Sequence, residues 1–367
     1  MNTAGSLRTQ VGGPEMRFAS VHDALSANWE CVVAEPECLA PGQCLPDCGL
    51  SPCNESGEGN WYYDTSYCPL YADWLKEELV RLDAQQVVCS SLNVYRYVLA
   101  LADTPIPVAF DMHNVEGVLY HEMRELMPAG ERFGQVLSEE NAARIVRAEQ
   151  AAVAAADIIW TCSVEDRNLV RRTYPSVADK EILHVPDVVN VEEEAPGGDS
   201  SPPQRAIFTA RLDYYPNVVA AETLLGEVAT ELSDFPVVVA GAQPDERLTG
   251  RDWPSNACLL ADPPSVAKLF TDAVMVVPLT AGGGSRFKVI EAFAAGTPVV
   301  STRKGAEGLG AFPGEHYLAA ETVEEFVHAI RIIREDAELR AKLVRAAWAL
   351  ASREHSTRSL ADRLRIV

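Results

Sequence analysis

Gly282, Gly283 and Gly284 run directly into Ser285, Arg286, Lys288 and Glu291. At a helix start the backbone N–H groups are unpaired and the helix dipole is positive. A glycine loop feeding a helix therefore attracts an anion. Ser285 is of the type that caps such a start. Arg286 and Lys288 put two cations beside the same anion. Glu291, a turn further on, offers a carboxylate to sugar hydroxyls. Phosphate at the loop and ribose near Glu291 together describe a nucleotide-sugar site.

The elements around these residues fit that chemistry. The apolar run Val274 to Leu279 reads as a buried strand, residues Ser285 to Ala295 carry helical periodicity, and Thr297 to Ser301 reads as a second buried strand. Glycine turns before helices are common in α/β proteins, so the spelling matters. No glycine stands at the sixth place from Gly282, so the loop lacks the dinucleotide fingerprint, and no Gly-Lys-Ser/Thr makes it a P-loop. An NAD oxidoreductase is thereby the most distant of the readings.

The run Gly282, Gly284, Arg286, Lys288, Glu291, Ala292, Ala294, Gly296, Pro298, Val299, Val300 and Thr302, continued by Gly305, Glu307 and Gly308, resembles a known pattern. It is that of the donor-binding half of the retaining glycosyltransferases of family four (glycosyl transferases group 1). The resemblance implies a GT-B fold: α/β, two Rossmann-like doubly wound domains facing a central cleft. It implies a hexosyltransferase-type enzyme that moves a sugar from a nucleoside-diphosphate sugar to a small-molecule acceptor on the first domain, with retention. Arg211, Arg286, Lys288 and helix N–H groups would stabilise the charge growing on the diphosphate leaving group, with no cofactor required.

Further residues follow from the same resemblance. Phe208 to Asn217 is similar to the family's Phe-x-Gly-x-Leu-x-x-x-Pro-Asn opening, with Ala210 where glycine is usual. Arg211 is expected against the diphosphate, but the lysine often found five residues on is replaced by Pro216. Asp111-Met112-His113-Asn114-Val115-Glu116 resembles the stretch that faces the donor sugar, and implies that His113 hydrogen-bonds the sugar or its developing charge. Glu116 reads as a helix cap. Gly12 and Gly13 stand where a Gly-Gly loop lets backbone approach the diphosphate, and Asp262 where base and ribose are bounded. The first of the family's two glutamates falls on Gly283, which leaves sugar preference open. Two other classes stay alive: a non-catalytic nucleotide-sugar-binding partner protein, and a GT-B nucleotide-sugar epimerase.

Alternation of strands and helices predicts a parallel sheet in each half, with ligands at the carboxyl ends of the strands. Strands are predicted at Cys31–Ala34, Val87–Ser90, Pro107–Asp111, Ile158–Cys162 and Ile182–Val185, then at Ala206–Arg211, Pro236–Ala240, Cys258–Ala261, Val274–Leu279 and Pro298–Ser301. Helices are predicted at Glu15–Ala27, Glu131–Ala155, Val218–Thr230, Ser265–Phe270, Arg286–Ala295, Val323–Arg334, Ala337–Ser352 and Thr357–Ile366. The expected domains are 1–186 on the acceptor side, a Pro/Gly-rich linker at 187–204, a nucleotide-sugar domain at 205–352, and a last helix at 353–367 crossing back to the first domain. The opening MNTAGSLRTQVGGPEMRF has no apolar run before Gly12. A doubly wound domain should open on a buried strand, so either the recorded start lies downstream of the true one or that strand is lost.

The 367 residues suffice for two domains, and 47% hydrophobic residues can fill two cores. A formal charge of −22 disfavours nucleic acid and anionic membrane surfaces as partners. There is no 18-residue apolar run and no secretion signal, so a cytoplasmic protein is expected, with oligomeric state open. Of only six lysines, Lys288 and Lys304 both lie in the glycine-loop segment. The low lysine-to-arginine ratio is associated with GC-rich bacteria, in which such enzymes often decorate secondary metabolites, lipids or thiols. Cys38, Cys44, Cys48 and Cys53 crowd an insertion at 36–68. Three readings stay open for it: a structural zinc site, the one favoured, redox-sensitive disulfides, or a mobile loop shaping the acceptor pocket. The spacing does not match paired Cys-x-x-Cys knuckles.

Overall fold

The computed structural model describes residues 13–34, 67–127, 138–195, 201–283 and 286–364. They divide into two compact units, one of Met1–His22 with Trp29–Val185, the other of Asp23–Asn28 with Pro186–Val367.

The first unit holds α1 (Gly13–Ser26), α2 (Pro69–Arg81), β1 (Val87–Ser90), α3 (Tyr95–Leu101), β2 (Val108–Met112), α4 (Glu116–Leu126), α5 (Glu139–Ala155), β3 (Ile158–Thr161), α6 (Val164–Thr173) and β4 (Glu181–His184). The strands pair in parallel in the order β1-β2-β3-β4. Register sets Ser90 beside Asp111 and Thr161 beside His184, so the carboxyl ends form one rim. Ser138 caps α5 by accepting from Asn141 N, and Ser163 caps α6 by accepting from Asp166 N. The core joins Tyr97, Phe110, Ile145 and Ile159.

One expected strand is not formed. Residues Cys31–Ala34 belong to no helix and no ladder. An apolar run becomes a strand only where a neighbour pairs with it, and no described residue does so here. Gly13 is the exposed first residue of α1. Gly12, the residues before it, and residues 131–137 of the long predicted helix lie outside the described residues. So do Cys38, Cys44, Cys48 and Cys53.

The second unit holds β5 (Arg205–Thr209), α7 (Tyr215–Glu222), a π-helical stretch (Thr223–Val228), α8 (Ala229–Glu231), β6 (Val237–Gly241), α9 (Glu246–Thr249), β7 (Ala257–Ala261), β8 (Ala273–Val277), α10 (Phe287–Ala294), β9 (Val299–Ser301), β10 (Leu318–Ala319), α11 (Val323–Glu335), α12 (Ala337–Glu354) and α13 (Thr357–Leu364). Its sheet runs β10-β9-β8-β5-β6-β7, all parallel. From β5 the chain winds one way through β6 and β7, then returns to the other side of β5 with β8 and winds outward. The winding therefore reverses between β5 and β8, where an open α/β sheet has its crevice.

Two elements differ from the periodic reading. The helix expected at Val218 starts at Tyr215, because Pro216 is tolerated in a first turn where no N–H is needed. The helix expected over Ser265–Phe270 is a 3₁₀ turn at Ala267–Leu269. α10 ends where its motif says it should. Gly296, at φ 71°, donates to Phe293 O and Thr297 N donates to Ala292 O, a Schellman closure that only glycine enters without strain, with Pro298 just beyond.

Candidate functional site

The loops after β5 and β8 bracket the reversal point of the second sheet. The β5 loop carries Arg211 and leads to Asn217 in α7. The β8 loop carries the glycines and leads into α10, whose first residue is Phe287 rather than Arg286. Gly284 and Ser285 lie outside the described residues, so the cap expected of Ser285 is not among the observed contacts.

Lys288 joins the two loops. Its Nζ donates to Asn217 Oδ1 at 2.8 Å and sits 4.5 Å from the centre of the Phe208 ring. Asn217 Nδ2 donates in turn to the Arg211 carbonyl at 2.9 Å. Burial lowers the Lys288 ammonium to about 7, reinforced by the nearby Arg286 charge and opposed by Glu291. Burial raises Glu291 to about 7, opposed by Lys288. A cation and an acceptor are thus held half-buried, one turn apart, near the pH at which each changes charge. Among the described residues the Glu291 carboxylate has no hydrogen-bond partner.

The other expected site residues are placed as follows. Arg286 is buried and turned onto its own loop, donating to Gly282 O at 2.8 Å, to Gly283 O, and to Lys304 O at 3.4 Å. It acts here as a brace of the glycine loop. Thr302 supports the same loop from β9, its hydroxyl donating to Leu279 O and accepting from Gly305 N. Arg211 is exposed and forms a two-point bond with Asp213, at 2.7 and 2.9 Å, and a third bond to Gln243 Oε1 at 2.8 Å. Asp262 accepts from Gln243 N at 2.7 Å, which ties the ends of β6 and β7 to the Arg211 loop.

In the first unit His113 follows β2 and is buried. Its Nε2 lies 2.8 Å from Ser90 Oγ and 3.5 Å from Asp111 Oδ2. Ser90 Oγ donates to Asp111 Oδ2 at 2.8 Å. Arg17 of α1, 1% exposed, is paired with Asp111 and donates to Val185 O at 3.0 Å. Burial works against the Asp111 charge, yet Arg17 and His113 override it and hold the carboxyl well below its usual range. Just past His113, Glu149 accepts from Glu116 N at 2.7 Å, from Gly117 N at 2.9 Å and from Tyr174 OH, closing the start of α4. Glu116 itself accepts from Asn114 Nδ2 at 2.9 Å.

Residues 221–365 match the family model described as "Glycosyl transferase-like". No curated protein matches the chain. The sucrose-phosphate synthase of Thermosynechococcus elongatus is similar over 99% of this chain and 96% of its own, at 15% identity and a TM-score of 0.70. WaaG, a glycosyltransferase of lipopolysaccharide biosynthesis, matches over 97% and 96%, at 14% identity and 0.59. HepE of Anabaena, solved with UDP-glucose, matches over 80% of each chain at 11% identity and 0.60.

The chain has the GT-B fold, and its residues 221–365 are glycosyl transferase-like. The chain has the α/β fold its glycine-loop motif implied. Three of its polar rim residues escaped the sequence reading: Asn217, Ser90 and Arg17. Asn217 stood inside the quoted Pro-Asn motif, and its link to Lys288 depends on the β5–β8 adjacency. Arg17 follows the Gly-Gly pair by four residues, but nothing local marks it as buried. Among the described residues no cluster of His, Cys, Asp or Glu could hold a metal, and no helix is long and apolar enough to cross a membrane.

Proposed function

We propose that the chain is a retaining glycosyltransferase of the hexosyltransferase type, using a nucleoside-diphosphate sugar and a small-molecule acceptor. The observation that carries this reading is the bond between Lys288 and Asn217, which brings the loops after β5 and β8 together at the reversal point of the sheet. The diphosphate sits on the N–H groups of the glycine loop braced by Arg286. Lys288 meets it as a cation, and Arg211 meets it by leaving Asp213 and Gln243. Glu291 takes the ribose hydroxyls and Asp262 bounds the base. As the glycosidic bond breaks, negative charge grows on the diphosphate oxygen, and these groups stabilise it more than they stabilise the bound donor. His113 hydrogen-bonds the transferred sugar, and the first unit takes the acceptor.

The test is a thermal-shift panel of uridine, guanosine and thymidine diphosphates and their sugars, followed by proton NMR of the product's anomeric centre. A shift with one base, abolished in Lys288→Met, and a product with the donor's anomeric configuration are expected. No shift with any nucleotide, or an inverted product, overturns the reading. Epimerised donor without acceptor would instead mark an epimerase.

A further inference from the structure

Resting on that reading, we propose that Arg17, Asp111 and Ser90 are positioning residues. They hold a proton on Nε2 of His113 and leave Nδ1 as the hydrogen-bond acceptor for a hydroxyl of the bound sugar.

The assignment follows from counting protons. Asp111 is fully buried and paired with Arg17, so it is a carboxylate and can only accept. The Ser90 hydroxyl has one proton and two neighbours at 2.8 Å, Asp111 Oδ2 and His113 Nε2. A bond to the ionised partner is the stronger, so the hydroxyl gives its proton to Asp111. Its lone pairs then face Nε2, and Nε2 must be the donor. Asp111 Oδ2, itself 3.5 Å from Nε2, favours the same tautomer. Nδ1 has no hydrogen-bond partner among the described residues.

The arrangement is not a nucleophilic triad. There the serine and the carboxylate occupy opposite ring nitrogens, whereas here both face Nε2, and Ser90 is itself 2% exposed. The hydroxyl is a spacer between ring and carboxylate. Register builds the spacer in, since Ser90 and Asp111 are partners across β1 and β2. Backbone strain marks the same spot: Ser91, the next residue, is held at φ 74° while its N–H donates to Asp111 O at 2.9 Å. Arg17 belongs to the helix opened by Gly13, so the start of α1 and the sugar-facing histidine are fastened to one carboxylate.

The deciding measurement is a two-bond proton–nitrogen NMR spectrum of the full chain labelled with ¹⁵N-histidine, with His113→Gln identifying the signal. It needs no substrate, so its outcome is independent of whether a donor is turned over. The expected spectrum has the proton on Nε2 and a bare Nδ1. In Asp111→Asn the amide can donate to Ser90, which then donates to Nε2, and the proton is expected to move wholly or partly to Nδ1. Because that variant strands Arg17, the double variant Arg17→Met with Asp111→Asn serves as the folded counterpart, and the same movement is expected in it. With active donor in hand, kcat in these variants should fall roughly 10–100-fold with donor KM nearly unchanged. A wild-type His113 protonated on Nδ1, or a tautomer unchanged in a folded variant, overturns the proposal.

Discussion

Lys288 and Asn217 lie 71 residues apart in the chain and 2.8 Å apart at their polar atoms. The second arm of Asn217 holds the backbone carbonyl of Arg211, so one amide fixes a lysine and an arginine loop together. Asn217→Ala removes both bonds at a buried position. Loss of about 1.4 kcal/mol, or tenfold in nucleoside-diphosphate affinity, is expected in calorimetry. Lys288→Met should cost about 2–3 kcal/mol of affinity, because a charge-assisted contact is lost.

Lys288 and Glu291 make binding pH-dependent. Free Lys288 titrates at about 7, so above that pH it is largely neutral. A bound diphosphate favours its charged form, and proton uptake is expected on binding just above neutrality. Calorimetry in buffers of different ionisation enthalpy reads it, and Lys288→Met should abolish it. The stability consequence has a definite sign. Lys288 is lowered from 10.5 to about 7, so the unfolded chain binds more protons between those values and stability from this group rises with pH across that window. Glu291, raised from 4.5 to about 7, contributes stability that is lost as pH rises through that lower window.

Gly241, at the end of β6, tests the backbone of the site. A Cβ there would lie 1.6 Å from the Ala210 carbonyl oxygen and 3.1 Å from Leu212 Cγ. The obstructing atom is backbone, so Gly241→Ala must displace the segment that carries Arg211. Destabilisation of about 1–3 kcal/mol in urea unfolding is expected, with weakened nucleotide binding in the surviving fold.

How much of this was legible follows from where each signal lies. α10 and its flanking strands were readable because apolar stripe, closing glycine and proline all sit within one local stretch. The reversal of winding between β5 and β8 was not, since it is a property of strand order, and no local pattern encodes which strand neighbours which. Arg286 shows the same limit. Its type said cation, but only the folded loop shows the guanidinium spent on Gly282 and Gly283 carbonyls. The run at Cys31–Ala34 was read as a strand from its apolar residues, and pairing, which sequence does not supply, decided otherwise.

The Arg17–Asp111 pair predicts a non-additive cycle. Arg17→Met alone leaves a buried carboxylate without its cation and should cost about 3–5 kcal/mol. Adding Asp111→Asn removes the stranded charge and should restore most of that loss, by thermal or urea unfolding.

Glu149 predicts a second pH signature, in the first unit. Burial raises it to about 7, against its bonds from Tyr174, Gly117 N and Glu116 N. A raised carboxyl gives stability that is present below 4.5 and lost as pH rises through about 7. Glu149→Gln should remove that slope, so the wild type loses ground to the variant between ~pH 5 and ~pH 8 in paired urea melts.

The depressed basicity of Lys288 has one more consequence. An amine that is deprotonated at neutral pH is a nucleophile, while an ordinary lysine is still masked by its proton. At neutral pH acylation of this side chain is expected to outpace that of an ordinary lysine where the reagent reaches it, and occupancy by nucleotide to shield it. The rim of the second sheet thus carries its own covalent reporter, one that needs no knowledge of the acceptor.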